Sequence, residues 1–481
     1  MRTSSTPPTP VRERLALAVL LTASFTLAVD FSILNVALPQ IGADVGLALP
    51  DLQWIATSFA VCAAGLTLFF GRTADLFGRR RQFLAGMALL GAASVAGGLA
   101  DVAWLLLAAR VAQGVATAAV TPAALSLITT SFPEGPLRDR ALGLNGALMA
   151  AGFTSGAVLG GLFAGLVSWR WAFFVNVVVA VAVLVVGPMV LRETRPTRRA
   201  RLDAPGAVAI TLALAAGVHG LTQAAEHSWA APASWTALAL AGALLAAFVL
   251  IERRVEHPLV PLGILARRTV GWGNAAGLVA FATETSLVFL LTLYLQEVRG
   301  LGPLQTGFVF AVLGAGTVLG GMVGPRVIGA VGGRRAIVLG LVAQAVATAP
   351  LALLGELPGW LVVLLALTFV GGVANLVAIV GFMVTATSGL PDDEQGLATG
   401  LTTMSQQVGI ALGIPVMSAV VTATTPGGGT VLGLSVAIAV NAAVCLVAGV
   451  ALAAALRPTG RPTGRPTGRR VARPAGRRVT G

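Results

Sequence analysis

The sequence predicts an all-α polytopic membrane protein, and three observations carry that prediction. Of 481 residues, 56% are hydrophobic and 11% charged, with a mean hydropathy of +0.88, whereas a soluble domain carries roughly 25% charge. Apolar runs of about 20 residues, the length that crosses a hydrocarbon core of roughly 30 Å, recur fourteen times. The segments between runs alternate between arginine-rich and arginine-poor, the asymmetry that distinguishes cytoplasmic from outer loops. An open chain in lipid satisfies its backbone polar groups only as helix, so each run reads as one spanning helix.

The elements follow in order. A cytoplasmic segment, 1–14, carries Arg12 and Arg14 ahead of the first span at 15–37. This start imitates a secretory signal, but the run continues to Pro39 with no A-x-A-like cleavage site, so it reads as a retained span. Spans at 54–70, 82–100, 103–130, 141–167 and 171–191 complete an N-terminal six-helix half, 15–191. Residues 192–268 hold a central pair, 206–225 and 235–251, with flanking cytoplasmic loops. Spans at 270–296, 306–331, 336–354, 359–388, 398–423 and 432–456 form a second half, 269–456.

Two checks support this order. Trp54, Trp104, Trp169, Trp171, Trp229, Trp235 and Trp360 fall at predicted outer ends, where indole favours the interface, and only Trp272 lies at an inner end. Gly78-Arg79-Arg80 after span two recurs as Gly333-Arg334-Arg335 after the eighth span of the halves. Two six-helix halves plus an inserted two-helix hairpin, fourteen helices with both termini cytoplasmic, is the simplest account. The tail, 457–481, repeats RPTG and cannot bury a core, so a disordered basic segment is expected, solvated or touching anionic lipid.

Several function classes drop out. Lysine is absent and all 32 basic residues are arginine, yet with few exceptions, Arg110 among them, they lie in loops and tail rather than on a soluble domain, so no nucleic-acid partner is expected. Cys62 and Cys445 sit inside apolar runs, and His219, His227 and His257 are scattered, which suggests neither disulfide framework nor metal site. There is no G-x-x-x-x-G-K-S/T loop and no constellation of nucleophile, base and metal. The chain is therefore expected not to be an enzyme and to need no cofactor.

Chemistry is expected where polar residues interrupt apolar runs. Asp30 sits within FTLAVDFSILNVALP, although an acid at the bilayer centre costs about 2.5–3.5 kcal/mol on insertion scales. Arg110 and Gln113, three residues apart, share one face of the fourth span, where a buried guanidinium must find an acceptor. Glu284 lies near the middle of the seventh span. Burial favours the neutral acid and a nearby cation favours the anion, so Asp30, and secondarily Glu284, could couple two fluxes; either could instead be a structural hydrogen-bond partner. Gly152, Gly156, Gly160 and Gly161 form a stripe on the fifth span that lets another backbone approach. In the loop GRTADLFGRRR, Gly71 and Gly78 allow a tight turn, Asp75 can accept from helix N-terminal amides or pair with arginine, and Arg79 to Arg81 face the cytoplasm.

These motifs resemble the major facilitator superfamily. Gly71, Asp75, Gly78, Arg79 and Arg80 match its loop pattern G-x-x-x-D-x-x-G-R-R/K, which implies a cytoplasmic latch between halves. Arg110 to Gly114 is similar to the fourth-span R-x-x-Q-G, tied in that family to proton transfer. The glycine stripe resembles the antiporter motif G-x-x-x-G-P-x-x-G-G, with Ala157 where the motif has proline; plain helix packing is the alternative. Asp30, Asn35, Val36, Ala37, Leu38 and Pro39 match the first-span pattern D-x-T-x-x-N-V-A-L-P of the fourteen-span drug:proton antiporters, with Ser32 for threonine. SWRWAFFVN, HPLVPL, YLQEVRG and GLATGLTTMSQQVGIALG extend the likeness over about residues 15–456.

The resemblance implies a monomeric exporter of small amphiphilic compounds in a bacterial plasma membrane. Protons would drive it, with Asp30, Arg110 and Glu284 as coupling residues. A cavity between halves would be apolar with a few polar groups such as Asn35, Gln113 and Gln296. One proton moving down 100 mV supplies about 2.3 kcal/mol, so no nucleotide is required. The rival readings are an uptake symporter of the same fold and a membrane sensor or scaffold that transports nothing.

Overall fold

The structure is a computed structural model, and it describes residues 10–132, 136–193, 203–226, 231–256, 258–260, 262–353, 359–390, 392–424 and 430–455. Among these every regular element is helical. The long helices are α1 Pro10–Ile33, α2 Gln53–Phe77, α3 Arg79–Gly98, α4 Ala103–Ser131, α5 Pro136–Leu166, α6 Trp171–Val190 and α7 Ala204–Glu226. They continue as α8 Pro232–Arg254, α9 Arg268–Leu293, α10 Pro303–Val331, α11 Gly333–Thr348, α12 Trp360–Thr387, α13 Asp392–Ala423 and α14 Thr430–Ala455. The tail and His227 and His257 lie outside the described residues.

Among the described residues eleven helices are long and apolar enough to cross a membrane. The other three are α2, α3 and α5, and the sequence explains each. In α2 and α5 the apolar stretches are shorter, Gln53–Thr67 and Ala151–Leu166. Helix α3 opens on three arginines and is diluted by glycines, of which Gly86, Gly91, Gly97 and Gly98 are buried against neighbours. Small and polar residues lower hydropathy on faces that meet protein rather than lipid.

Three boundaries differ from the sequence reading. The first span stops at Ile33, turns through Asn35–Ala37, and resumes as a short helix at Leu38–Val45 with Pro39 in its first turn, where a missing N–H goes unused. Residues 71–77 are not a loop: α2 continues to Phe77, and Gly78 alone makes the break, at φ +105°. That left-handed backbone suits glycine, and Gly71 needs no such freedom because it sits inside the helix. At its far end α9 widens into a π-helical turn at Tyr294–Val298.

Packing inside α1–α6 recurs in α9–α14. Helix α1 packs on α4, α5 and α6, α4 on α2 and α3, and α3 on α6; α9 packs on α12, α13 and α14, α12 on α10 and α11, and α11 on α14. The two sets meet along α5 with α10 and α2 with α13. Helices α7 and α8 pack on each other, and α7 also lies on α2 and α13, so the pair covers that seam. At Gly65 a side chain would collide with the backbone and hydroxyl of Thr211, which shows how closely α7 approaches α2.

The glycine stripe explains the α1–α5 contact. A Cβ at Gly156 or Gly160 would run into Ser32 and the Val29 carbonyl, or the Ile33 carbonyl, and one at Gly152 would stand 2.7 Å from the Phe25 carbonyl. Gly161 faces the other way, onto Pro303 and Gly307 of α10. The same device recurs where α13 meets α9: Gly409 and Gly413 sit on the carbonyls of Leu278 and Ala282. The close approach lets Ser32 Oγ donate to the Phe153 carbonyl at 2.6 Å.

Candidate functional site

The first-half polar core gathers on four helices. Asp30 on α1 is 1% exposed and Arg110 on α4 is fully buried. Arg110 Nη1 donates to Asp30 Oδ2 at 3.2 Å and to Gln113 Oε1 at 2.8 Å, while Nε donates to the Ile55 carbonyl at 2.9 Å. Gln113 Nε2 donates to Asp30 Oδ1 at 3.1 Å and to Ser94 Oγ on α3 at 2.9 Å. Asn176 Nδ2 on α6 also donates to Asp30 Oδ1. The guanidinium lies over the Phe59 ring, 4.4 Å from its centroid, an added attraction for a buried cation. The carboxylate thus meets one cation and two amide donors, which is what makes a buried ion pair tolerable.

Asn176 and Ser94 are site residues that the sequence reading missed. The signal for Asn176 was the one that exposed Asp30: a lone polar residue in an apolar run, here WAFFVNVVVAVAVL. Ser94 gave no comparable signal, because serine is small enough for any helix contact.

The second half builds a neutral core on the corresponding helices. Asn375 Nδ2 on α12 donates to Gln344 Oε1 on α11 and to the Ala280 carbonyl on α9, both at 3.1 Å. Gln344 Nε2 donates to Thr283 Oγ1 at 3.3 Å. Asn441 Nδ2 on α14 donates to the Thr283 carbonyl and Ser286 Oγ, both at 2.9 Å. No ionised side chain takes part in these bonds.

Glu284 stands apart from both cores. It lines two narrow cavities, each with room for water-sized occupants only. One lies between α1, α5, α9 and α10, and Ser32 and Phe153 are among its walls. The other lies within α9–α12. Among the described residues nothing donates to the Glu284 carboxylate or pairs with it. Asp30 and Arg110 meet each other; Glu284 joins neither.

The three proposed cavity residues go elsewhere. Gln113 is committed to Asp30 and Ser94. Gln296 Nε2 donates to the Val36 carbonyl at 2.7 Å, tying α9's π turn to the turn after α1. Asn35 is buried at that same end, its Nδ2 without an acceptor among the described residues. None of the three lines either cavity.

At the opposite end, Glu193 takes the amide-accepting role considered for Asp75. Its carboxylate accepts the N–H groups of Arg80 at 3.1 Å and Arg81 at 3.2 Å, an anion at the positive end of α3. Gly78 makes room, since a Cβ there would stand 2.6 Å from Glu193. Arg80 Nη2 reaches the Pro188 carbonyl at 2.7 Å, and Arg72 Nη2 reaches the Pro258 carbonyl at 3.1 Å. Asp75 lies in the last turns of α2, and its side chain falls outside the described residues. Arg79 opens α3.

No group of three or more metal-ligating side chains occurs among the described residues. Comparisons with known proteins fit this architecture. The Major Facilitator Superfamily profile matches residues 20–414. The cephamycin export protein CmcT of Amycolatopsis lactamdurans is 39% identical, covering 86% of each chain. The puromycin resistance protein pur8 of Streptomyces alboniger is 35% identical over 90% of this chain and 89% of its own. Among solved structures, the human organic anion transporter MFSD10 superposes with a TM-score of 0.60 at 16% identity, over 93% of this chain and all of that one. The nucleoside transporter NupG gives 0.63 at 12% identity, over 92% of this chain and all of its own; these two speak for the fold. A multi-pass helical bundle with a buried acid and arginine at its centre, matched over most of its length, belongs to the Major Facilitator Superfamily.

Proposed function

We propose that this chain is a proton-coupled exporter of small amphiphilic compounds, antibiotics among them, working by alternating access in a bacterial plasma membrane. The observation that carries the coupling is the Asp30–Arg110 pair, held by Gln113 and Asn176 in otherwise apolar surroundings. With Asp30 ionised, α1, α4 and α6 are tied through one carboxylate. A proton on Asp30 removes the charge that Arg110 answers, leaving Gln113 and Ile55 to hold the guanidinium, so protonation changes how α1 is held. Relatives named for cephamycin export and for resistance to puromycin and lincomycin support the substrate class.

In this reading all fourteen long helices span the membrane, α1–α6 and α9–α14 rock as halves, and both termini are cytoplasmic. The α7–α8 pair is an inserted hairpin. Gly71, Asp75, Gly78, Arg79 and Arg80 belong to the cytoplasmic latch, the proton gradient is the energy source, and the protein works as a monomer in lipid. Passage of a drug-sized molecule requires the halves to part, because the cavities hold only water-sized occupants.

The test is substrate efflux from proteoliposomes under an imposed pH gradient. Asp30→Asn keeps the shape of the side chain and is expected to abolish pH-driven efflux per molecule of folded protein; undiminished efflux would refute the coupling role. Proton-driven accumulation inside right-side-out vesicles would identify an uptake symporter, and binding without flux a sensor.

A further inference from the structure

Two acids at one end of the α7–α8 hairpin have no role in the export reading. Asp203 stands just before α7 and is 2% exposed; Glu252, in the last turn of α8, is 4% exposed. Each carboxyl has one oxygen matched by backbone. Asp203 Oδ1 accepts the Gly206 N–H at 2.9 Å, as a helix-capping aspartate does, and Glu252 Oε2 accepts the Val260 N–H at 2.9 Å. The other two oxygens, Asp203 Oδ2 and Glu252 Oε1, have no donor among the described residues.

These unmatched oxygens border the same space. A Cβ on Gly206 would stand 2.5 Å from Asp203 Oδ2 and 3.0 Å from Glu252 Oε1, so the absent side chain leaves the room that both carboxyls fill. The carboxyls are within hydrogen-bonding reach of each other there. An acceptor cannot bond an acceptor, and two carboxylates in contact away from water cannot both stay ionised. What the geometry lacks is one hydrogen between Oδ2 and Oε1. A single proton supplies it, and the O–H···O⁻ bond that results is of the short, charge-assisted kind.

Among the described residues no cation meets either free oxygen. Arg253 and Arg254 on α8, Glu256 in the connector, and Arg267 and Arg268 at the start of α9 are exposed. From α2, Arg72 reaches the Pro258 carbonyl. Helix α13, which also packs on α7, brings no charged group among its described side chains.

We propose that Asp203 and Glu252 form a proton-binding site, in which the two carboxyls share one proton at neutral pH and so clasp the base of the α7–α8 hairpin. The clasp extends beyond the pair. Val260, held by Glu252, and Leu259 are buried among apolar residues of α2, α7 and α13, on the way into α9. One proton thus fastens both feet of the hairpin and the connector to the second half at a single point. The site is separate from Asp30 and Glu284, and the proposal does not depend on export.

The folded pair holds a proton that two separate acids in an unfolded chain release, so stability falls as pH rises through the point where that proton leaves. The experiment uses the full chain in lipid nanodiscs with two readouts, the infrared absorption of protonated carboxyls and the thermal midpoint as a function of pH. Asp203→Asn and Glu252→Gln each put an amide N–H where the proton would be. Either variant is expected to remove one and the same protonated-carboxyl band from the neutral-pH spectrum, while Asp30→Asn and Glu284→Gln leave that band in place. The parent's midpoint should fall as pH is raised from about 6 to about 9, and both amide variants should fall less. Retention of the band in both variants, loss of a different band in each, or the same pH dependence in parent and variants would overturn the proposal. So would a midpoint that sodium, magnesium or calcium ions raise in the parent and leave unmoved in both variants, which would make the pair a metal site instead.

Discussion

The two halves of the bundle pack alike yet differ at corresponding places in whether their polar core carries charge. In α1–α6 the shared polar core is an ion pair wrapped by amides; in α9–α14 it is amides and hydroxyls alone. Helix contacts, glycine stripes and the positions of the polar residues repeat, so the geometry of a polar core does not require charge. The charge in the first half is an addition to a structural plan that works without it. In the second half the ionisable group, Glu284, lies outside the core and faces the cavities.

The largest effect expected from this contrast is at Arg110. Arg110→Ala leaves Asp30 buried without its cation, and breaking a buried pair by removing one partner costs about 3–5 kcal/mol. Transport should be lost and the thermal midpoint should fall. Restoring the midpoint with Arg110→Ala combined with Asp30→Asn, while transport stays absent, would separate the fold from the mechanism. An unchanged midpoint in the single variant would mean that the pair contributes nothing to the fold.

A smaller difference is expected between two equivalent asparagines. Asn176 donates to a carboxylate and Asn441 to a carbonyl and a hydroxyl. Hydrogen bonds to charged groups contribute about 1.5–3 kcal/mol and neutral ones about 0.5–1.5 kcal/mol. Asn176→Leu should therefore destabilise more than Asn441→Leu, read as thermal midpoints in one lipid mixture. Equal losses would break the claim that charge distinguishes the halves.

Much of the fold was legible because membrane helices announce themselves by length and hydropathy: among the described residues long helices occupy the predicted runs, although eleven of them are long and apolar enough to cross a membrane. What the sequence hid was continuity. Gly71 and Asp75 looked like loop residues because they neighbour arginines, yet nothing between Gly71 and Phe77 prevents helix. The candidate site was legible where an ionisable residue broke an apolar run, as at Asp30 and Arg110; Glu284 broke a run in the same way but stands outside both cores. Partners were not. Which side chain answers Asp30 depends on how α1, α4 and α6 rotate, and no local pattern encodes that. Glu193, near the end of the described segment after α6, gave no hint that it would cap α3 across 112 residues of chain. The stripe at Gly152, Gly156 and Gly160 marked a close helix contact, but its recurrence at Gly409 and Gly413 weighs towards packing and away from transport direction as its purpose.

The smallest expected effect is on stability at Glu284, and it sharpens the comparison most. Asp30 and Glu284 are both acids within helices, but one has three donors and the other none among the described residues. Replacing a partnered acid by its amide removes charge-assisted bonds; replacing an unpartnered one removes only the desolvation that burial imposes on the charged form. Glu284→Gln should thus leave the thermal midpoint unchanged or raise it slightly, whereas Asp30→Asn should not raise it. A clear fall for Glu284→Gln would reveal a bond to the carboxylate in the resting protein and would move Glu284 from the cavity wall into the structural core.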